Sequence, residues 1–256
     1  MNKPKLSAAF WAFFRQEMGA QAFCEKLVEM GYSGAEMVDE ANYKFAKAAG
    51  LELVNICAPG MSDGLNRVEN HDALIPEIRQ TIAHAAENDI KQIIIFSGNS
   101  NGQSAKEGLA NCIRGVEKLA GDAESAGVIL AFEPLNDANH HDYQATSSSY
   151  GYELVRAVSS PAVRVLYDIY HQARTGEDLN ATLVKNIDLV CHLHVAGSPK
   201  RDFPGDDQEI DYASLMKAVQ VSGYDGYWGM EFMPASDDPL TELAAAAKRF
   251  RAFAQA

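Results

Sequence analysis

The sequence predicts an α/β protein, a single (β/α)8 barrel over residues 1–256. Three observations predict it. Short, near-continuous apolar runs alternate eight times with amphipathic segments at helical spacing, the pattern of a parallel sheet covered by helices. The length of 256 residues matches the roughly 250 of one such barrel. No GxGxxG or GxxxxGKS/T turn follows any strand, which removes the usual phosphate-cradling form of the competing doubly wound open sheet. No linker or shift in composition marks a domain boundary.

Each element has its own signal. The first strand is 5–11. Its lysines and apolar run superficially resemble a secretory leader, but the run is short, lacks a small-residue cleavage site and is interrupted by Arg15 and Glu17. A helix over 19–30 carries Phe23, Leu27, Val28 and Met30 on helical spacing and stops at Gly31. The second strand is 33–38, and a short helix ends at Ala49-Gly50. The third strand, 51–58, is closed by Pro59-Gly60. A helix over 71–87 precedes the fourth strand, 92–97, which Gly98 breaks. Leu109, Ile113, Val116 and Leu119 share one face of a helix over 104–126 that ends at Gly127.

The fifth strand is 128–133, followed by Pro134, a polar loop and a helix over 147–159. The sixth strand is 163–168, with a short helix at 179–187. The seventh opens the stretch 189–212 as a short apolar strand carrying His192 and His194 on one face, and it runs into a polar Pro/Gly loop. A helix carrying Leu215, Met216 and Val219 ends at Gly223, the eighth strand is 226–232, and 240–253 is the closing helix.

Composition excludes more than it names. A formal net charge of −13 argues against nucleic-acid binding, which needs clustered Lys and Arg against phosphate. No segment approaches the roughly 20 apolar residues of a membrane span. The four cysteines, Cys24, Cys57, Cys112 and Cys191, form no CxxC pair and read as reduced core thiols of a cytoplasmic protein. The expected partner is a small-molecule substrate, with neither nucleic acid nor membrane, and a homo-oligomer stays open.

The chemistry sits at the strand ends. Strands five to eight each close on one residue of ligand type: Glu133, Asp168, His194 and Glu231. Two residues back on the same face stand Ala131, Leu166, His192 and Gly229, mostly small or apolar, which suits a packed interior below a polar mouth. In a barrel all C-terminal strand ends open onto the face that carries active sites. Neighbouring strands lie about 4.8 Å apart, so four consecutive ends can converge on one divalent ion. Three carboxylates and an imidazole suit Mn2+, Mg2+ or Co2+ better than structural zinc. His192 reads as an inward core histidine and His140-His141 as a solvated loop pair placed to form a lid. Trp11 reads as an apolar wall, and Glu36 and Asn99 as residues that could reach substrate across the mouth.

These residues carry a resemblance. Phe132-Glu133-Pro134-Leu135-Asn136, Tyr167-Asp168-Ile169-Tyr170-His171-Gln172, His192-Leu193-His194-Val195-Ala196-Gly197 and Met230-Glu231-Phe232, in that order and spacing, resemble the xylose-isomerase-like barrel superfamily. Within it the chain is most similar to the hydroxypyruvate isomerase family, with ketose 3-epimerases next. The resemblance implies a divalent metal held by Glu133, Asp168, His194 and Glu231. It implies that the two glutamates double as acid/base groups and that His171 and Arg201 contact substrate. There are departures. The hydroxypyruvate isomerases carry Gln where His194 stands, and Pro-Gly-Arg where this chain reads Pro199-Lys200-Arg201. Asp206-Asp207 follow Pro204-Gly205 where a second glycine is common, and the 60–71 region is compact.

The implied reaction is proton transfer beside a carbonyl through an enediolate. Return of the proton to the neighbouring carbon is aldose–ketose isomerisation, and its return to the same carbon from the other face is epimerisation. Arg201 suits a two-pronged grip on a substrate carboxylate, against pairing with Asp202, Asp206 or Asp207. The leading expectation is therefore an isomerase of a small hydroxy-oxo acid or sugar. The alternatives are a ketose 3-epimerase, a dehydratase or lyase of the same superfamily, and a non-catalytic sugar-binding barrel. An endonuclease of the same fold is disfavoured, because those enzymes hold more metals with more strand-end histidines.

Overall fold

The computed structural model describes residues 3–255. Its strands are β1 Lys5–Ala9, β2 Gly34–Glu36, β3 Glu52–Leu53, β4 Asn55–Cys57, β5 Gln92–Ile95, β6 Ile129–Phe132, β7 Val163–Asp168, β8 Val190–Val195 and β9 Tyr227–Met230. The α-helices are α1 Phe10–Phe13, α2 Ala20–Glu29, α3 Tyr43–Ala49, α4 Val68–Glu87, α5 Ala105–Ala126, α6 Ser148–Val158, α7 Ile169–Arg174, α8 Leu179–Lys185, α9 Tyr212–Val221 and α10 Pro239–Phe253. The strands form one sheet in the order β3-β2-β1-β9-β8-β7-β6-β5-β4. The chain packs as two compact units. One takes in the described residues up to Val54, Asp178–Asp188 and those from His192 onward; the other is Asn55–Glu177 with Leu189–Cys191.

In the first unit β1 lies between β2 and β9, parallel to both. Pairing of the first strand with the last, Lys5 with Tyr227 through Ala8 with Met230, is the closure a barrel requires and a doubly wound open sheet lacks. Helices α9 and α10 cover it through Phe250, which is fully buried against Tyr212, Trp228 and Phe253. In the second unit β4 to β7 pair in parallel. α5 opens on a side-chain N-cap: Ser104 Oγ accepts from the Glu107 backbone N–H. Ser104→Ala is expected to lower stability by about 1 kcal/mol, read as a shifted midpoint with unchanged slope in urea unfolding.

The structure revises several boundaries. The predicted first strand ends at Ala9, and Phe10–Phe13 turn as α1, so Trp11 stands on a helical turn. The third strand is two pieces that change partner at Val54: Val54 N–H bonds Ala35 O, whereas Ala58 N–H bonds Ile94 O. Helix α4 begins at Val68 rather than 71 and carries Pro76 inside it. α7 follows β7 with no loop, because Asp168 is itself its N-cap. Of the four cysteines only Cys24 and Cys112 are buried; Cys191 is half-buried and Cys57 exposed, contrary to a core role for all four. No helix of the described residues is long and apolar enough to cross a membrane.

Candidate active site

In the first unit the ends of β8 and β9 gather a chain of charges. Alternation along β8 turns His192 and His194 to the same side, and their rings meet edge to face with centroids 4.9 Å apart. His194 Nδ1 lies 3.1 Å from Glu231 Oε2, and its Nε2 lies 2.9 Å from Glu36 Oε2. Glu231 stands one residue past β9, held in line by its backbone N–H to Val195 O. Trp11 Nε1 donates to Glu231 Oε1 over 3.1 Å and Arg201 Nη2 donates to Glu231 Oε2 over 2.7 Å. The Arg201 guanidinium lies 5.6 Å from the Trp11 ring centre, within cation–π range.

These neighbours set the electrostatics. Burial raises the Glu231 carboxyl, but His194 and Arg201 outweigh it and bring it down to about 2. Burial likewise works against the charged form of Glu36, yet His192 and His194 hold it well below the ordinary carboxylate range. Arg201 pairs with Glu231. Asp206 pairs with Arg249, and Arg201 reaches Glu231 from a left-handed backbone, φ +57°.

In the second unit Asp168 is buried at the end of β7, and its Oδ1 accepts the His171 backbone N–H over 3.0 Å. The His171 ring faces it, Nε2 to Oδ2 at 3.6 Å. Asn136 fixes that ring. Its Oδ1 accepts from Asn139 N–H, so its amide nitrogen is the atom 2.6 Å from His171 Nδ1. Nδ1 therefore accepts, and the ring proton sits on Nε2, toward Asp168. Glu133 is buried just past β6, and its carbonyl receives the Tyr143 hydroxyl. Asn99 bridges Tyr143 through the backbone.

The structure thus brings Glu36, His194, Arg201 and Glu231 together in one cluster and Asp168 with His171 in another. Glu36 is fully buried between two histidines rather than lying open toward the mouth. His192 is buried as expected of a core histidine. His140 was read as solvated, but its ring packs 5.2 Å from that of His171, while His141 is exposed. The support that Asn136 gives His171 was missed. An Asn three residues past Glu133 was the available signal, but the loop fold that turns it onto the ring has no periodicity to read. Among the described residues these imidazoles and carboxylates include groups of a kind that could hold a metal ion.

A family model described as Xylose isomerase-like TIM barrel matches residues 24–253. The chain belongs to the xylose isomerase-like TIM barrel family. It is 28% identical to hydroxypyruvate isomerase of Escherichia coli K12 over 70% of this chain and 66% of that protein, just under two thirds of the relative's length. Among solved structures it superposes on an AP endonuclease, family 2, from Brucella melitensis with a TM-score of 0.83, at 23% identity and over 96% and 98% of the two chains. D-psicose 3-epimerase with D-tagatose from Clostridium cellulolyticum H10 gives a TM-score of 0.82, at 17% identity and over 97% and 99%. At those identities the structures speak for the fold. The sequence relative is named an isomerase.

Proposed function

We propose that this chain is a divalent-metal-dependent isomerase of a small hydroxy-oxo acid or sugar, of the hydroxypyruvate/tartronate semialdehyde type. One observation carries the reading. Glu133, Asp168, His194 and Glu231 each stand at the end of a strand or one residue past it, each is buried, and each is of metal-ligand type; on this reading all four are ligands. The donor chemistry fits such an ion. Three buried carboxylates repel one another unless a cation or protons offset them, and a set of oxygens with one imidazole suits Mn2+, Mg2+ or Co2+. When bound, the ion supplies Lewis acidity that favours charge on a substrate carbonyl oxygen.

The chain's own residues supply the rest. Glu231 or Glu133 takes the proton from the carbon beside the carbonyl, and one of them returns a proton to the neighbouring carbon. Trp11 and Arg201 orient the Glu231 carboxylate by one hydrogen bond to each oxygen. The His171 Nε2–H, its tautomer set by Asn136, serves as a donor to a substrate oxygen. Arg201, beside the proposed base, is where a substrate carboxylate would be recognised, which favours an oxo acid over a neutral sugar. Ketose 3-epimerisation is the second reading, favoured by His194 and by the fold likeness to D-psicose 3-epimerase.

The test is incubation with Mn2+ and a panel of C3 to C6 2-oxo acids and ketoses in deuterated water, followed by NMR. Deuterium entering hydroxypyruvate with an aldehyde product, and halted by EDTA, is the expected result. A C3 epimer from a ketose decides for the second reading. Full activity in metal-free protein overturns the proposal, and so does ligand binding without exchange anywhere in the panel.

A further inference from the structure

Glu36 ends β2, and nothing in the reaction outlined above uses it. It is fully buried, and its two oxygens have different partners. Oε1 accepts the Ser7 hydroxyl over 2.5 Å. Oε2 lies 2.9 Å from His194 Nε2 and 3.0 Å from His192 Nε2. Space for this carboxylate comes from the neighbouring strands. Ser7 of β1 is in register with both Gly34 of β2 and Gly229 of β9, and Gly229 also faces His194 of β8. A Cβ on Gly229 would stand 2.1 Å from Glu36 Oε1 and 2.7 Å from His192 Nε2. The missing side chain of Gly229 is the room in which the carboxylate sits.

We propose that Glu36 is a positioning residue that keeps the His194 proton on Nε2 and so presents Nδ1 as the ligand nitrogen. This rests on the metal reading above and adds a residue outside the four proposed ligands. A neutral imidazole carries one ring proton, and an acceptor at one nitrogen draws the proton there and leaves the other nitrogen's lone pair exposed. The nitrogen left exposed is Nδ1, the one 3.1 Å from Glu231 Oε2. Where no ion is bound, a second ring proton at Nδ1 meets the Glu231 carboxylate; a bound cation would take that proton's place, while Glu36 retains the one on Nε2. An anionic partner behind the ring also makes the imidazole a stronger donor. Ser7 and Gly229 contribute by holding the carboxylate in line.

The experiment uses the full chain and two readouts, neither of which is turnover. Mn2+ titration by calorimetry is expected to give one ion per chain for the native protein. Glu36→Gln, which keeps an acceptor oxygen, should bind within about fivefold of native. Glu36→Ala, checked for fold by circular dichroism, should bind about 10- to 100-fold more weakly. In 15N-labelled, Zn2+-loaded protein, the His194 ring should show a protonated Nε2 and a metal-shifted Nδ1. This second measurement needs no variant, so it holds even if Glu36→Ala does not fold.

Three results would overturn the assignment of Glu36: Mn2+ binding by Glu36→Ala within twofold of native, a protonated Nδ1 in the Zn2+-loaded protein, or a second Mn2+ equivalent that the variant loses, which would make Glu36, His192 and His194 an ion site of their own. Failure of the native chain to bind any Mn2+ would instead bring down the metal reading, and with it the ligand role of Nδ1.

Discussion

Glu231→Gln is expected to lower kcat by about 10³-fold on whichever substrate the deuterium screen identifies, with the fold intact by circular dichroism. The substitution keeps the shape of the side chain and an oxygen for Trp11 or Arg201 to bond. It removes the charge that His194 and Arg201 now stabilise and with it the capacity to accept a proton. Glu133→Gln should fall comparably, since the two carboxylates divide proton removal and return between them. A variant that both binds more weakly and turns over more slowly has lost a metal ligand. One that keeps Mn2+ affinity and loses only kcat has lost the base. A loss below tenfold at either position would take that glutamate out of the chemistry.

Gly98→Ala should unfold at markedly lower urea concentration, with a stability loss of about 3 kcal/mol or more. Two independent costs meet at this position. Its backbone sits at φ +94°, where side chains are strained. A Cβ there would also fall 2.4 Å from the Gly64 nitrogen and 2.7 Å from its Cα. Those atoms are backbone and cannot swing away as a flexible side chain would. The approach is mutual, since a Cβ on Gly64 would stand 2.3 Å from Ser97 O. In a domain of this size the loss corresponds to a fall in Tm of roughly 6–12 °C. A Gly98→Ala protein as stable as native would mean that the two segments do not touch.

What could be read in the sequence follows what repeats in it. Near-continuous apolar runs located β7 at 163–168 and the start of β8 within a residue, and so put Asp168 and His194 at or near strand ends. Glu133 and Glu231 fall just past their strands but stay in line, because one ladder hydrogen bond continues beyond each: Glu133 N–H to Ile95 O and Glu231 N–H to Val195 O. Short pieces escaped. Four and six residues, as in α1 and α7, are too few for a 3.6-residue period to show. Glu36 reads in the sequence as a residue that could reach substrate across the mouth, because its partners, His192 and His194, are far away in sequence. The inward face of β8 was legible, but which strand would present a carboxylate to it was not. Arg201's turn onto Glu231 depends on a left-handed backbone in a non-glycine residue, which no composition rule foretells.

The pairing of β1 with β9 has a consequence for how the chain assembles. Lys5 meets Tyr227, so an emerging polypeptide holds β1 without this neighbour until the chain between the two strands has been made. The residues of the second unit, apart from Leu189–Cys191, are continuous in sequence from Asn55 to Glu177 and meet no such delay. Glu36, His194 and Glu231 belong to the part that must wait. The two proposed ligands of this unit and the carboxylate behind them are therefore brought together only once β9 has been made, and loop-closure entropy across the intervening sequence opposes it until then.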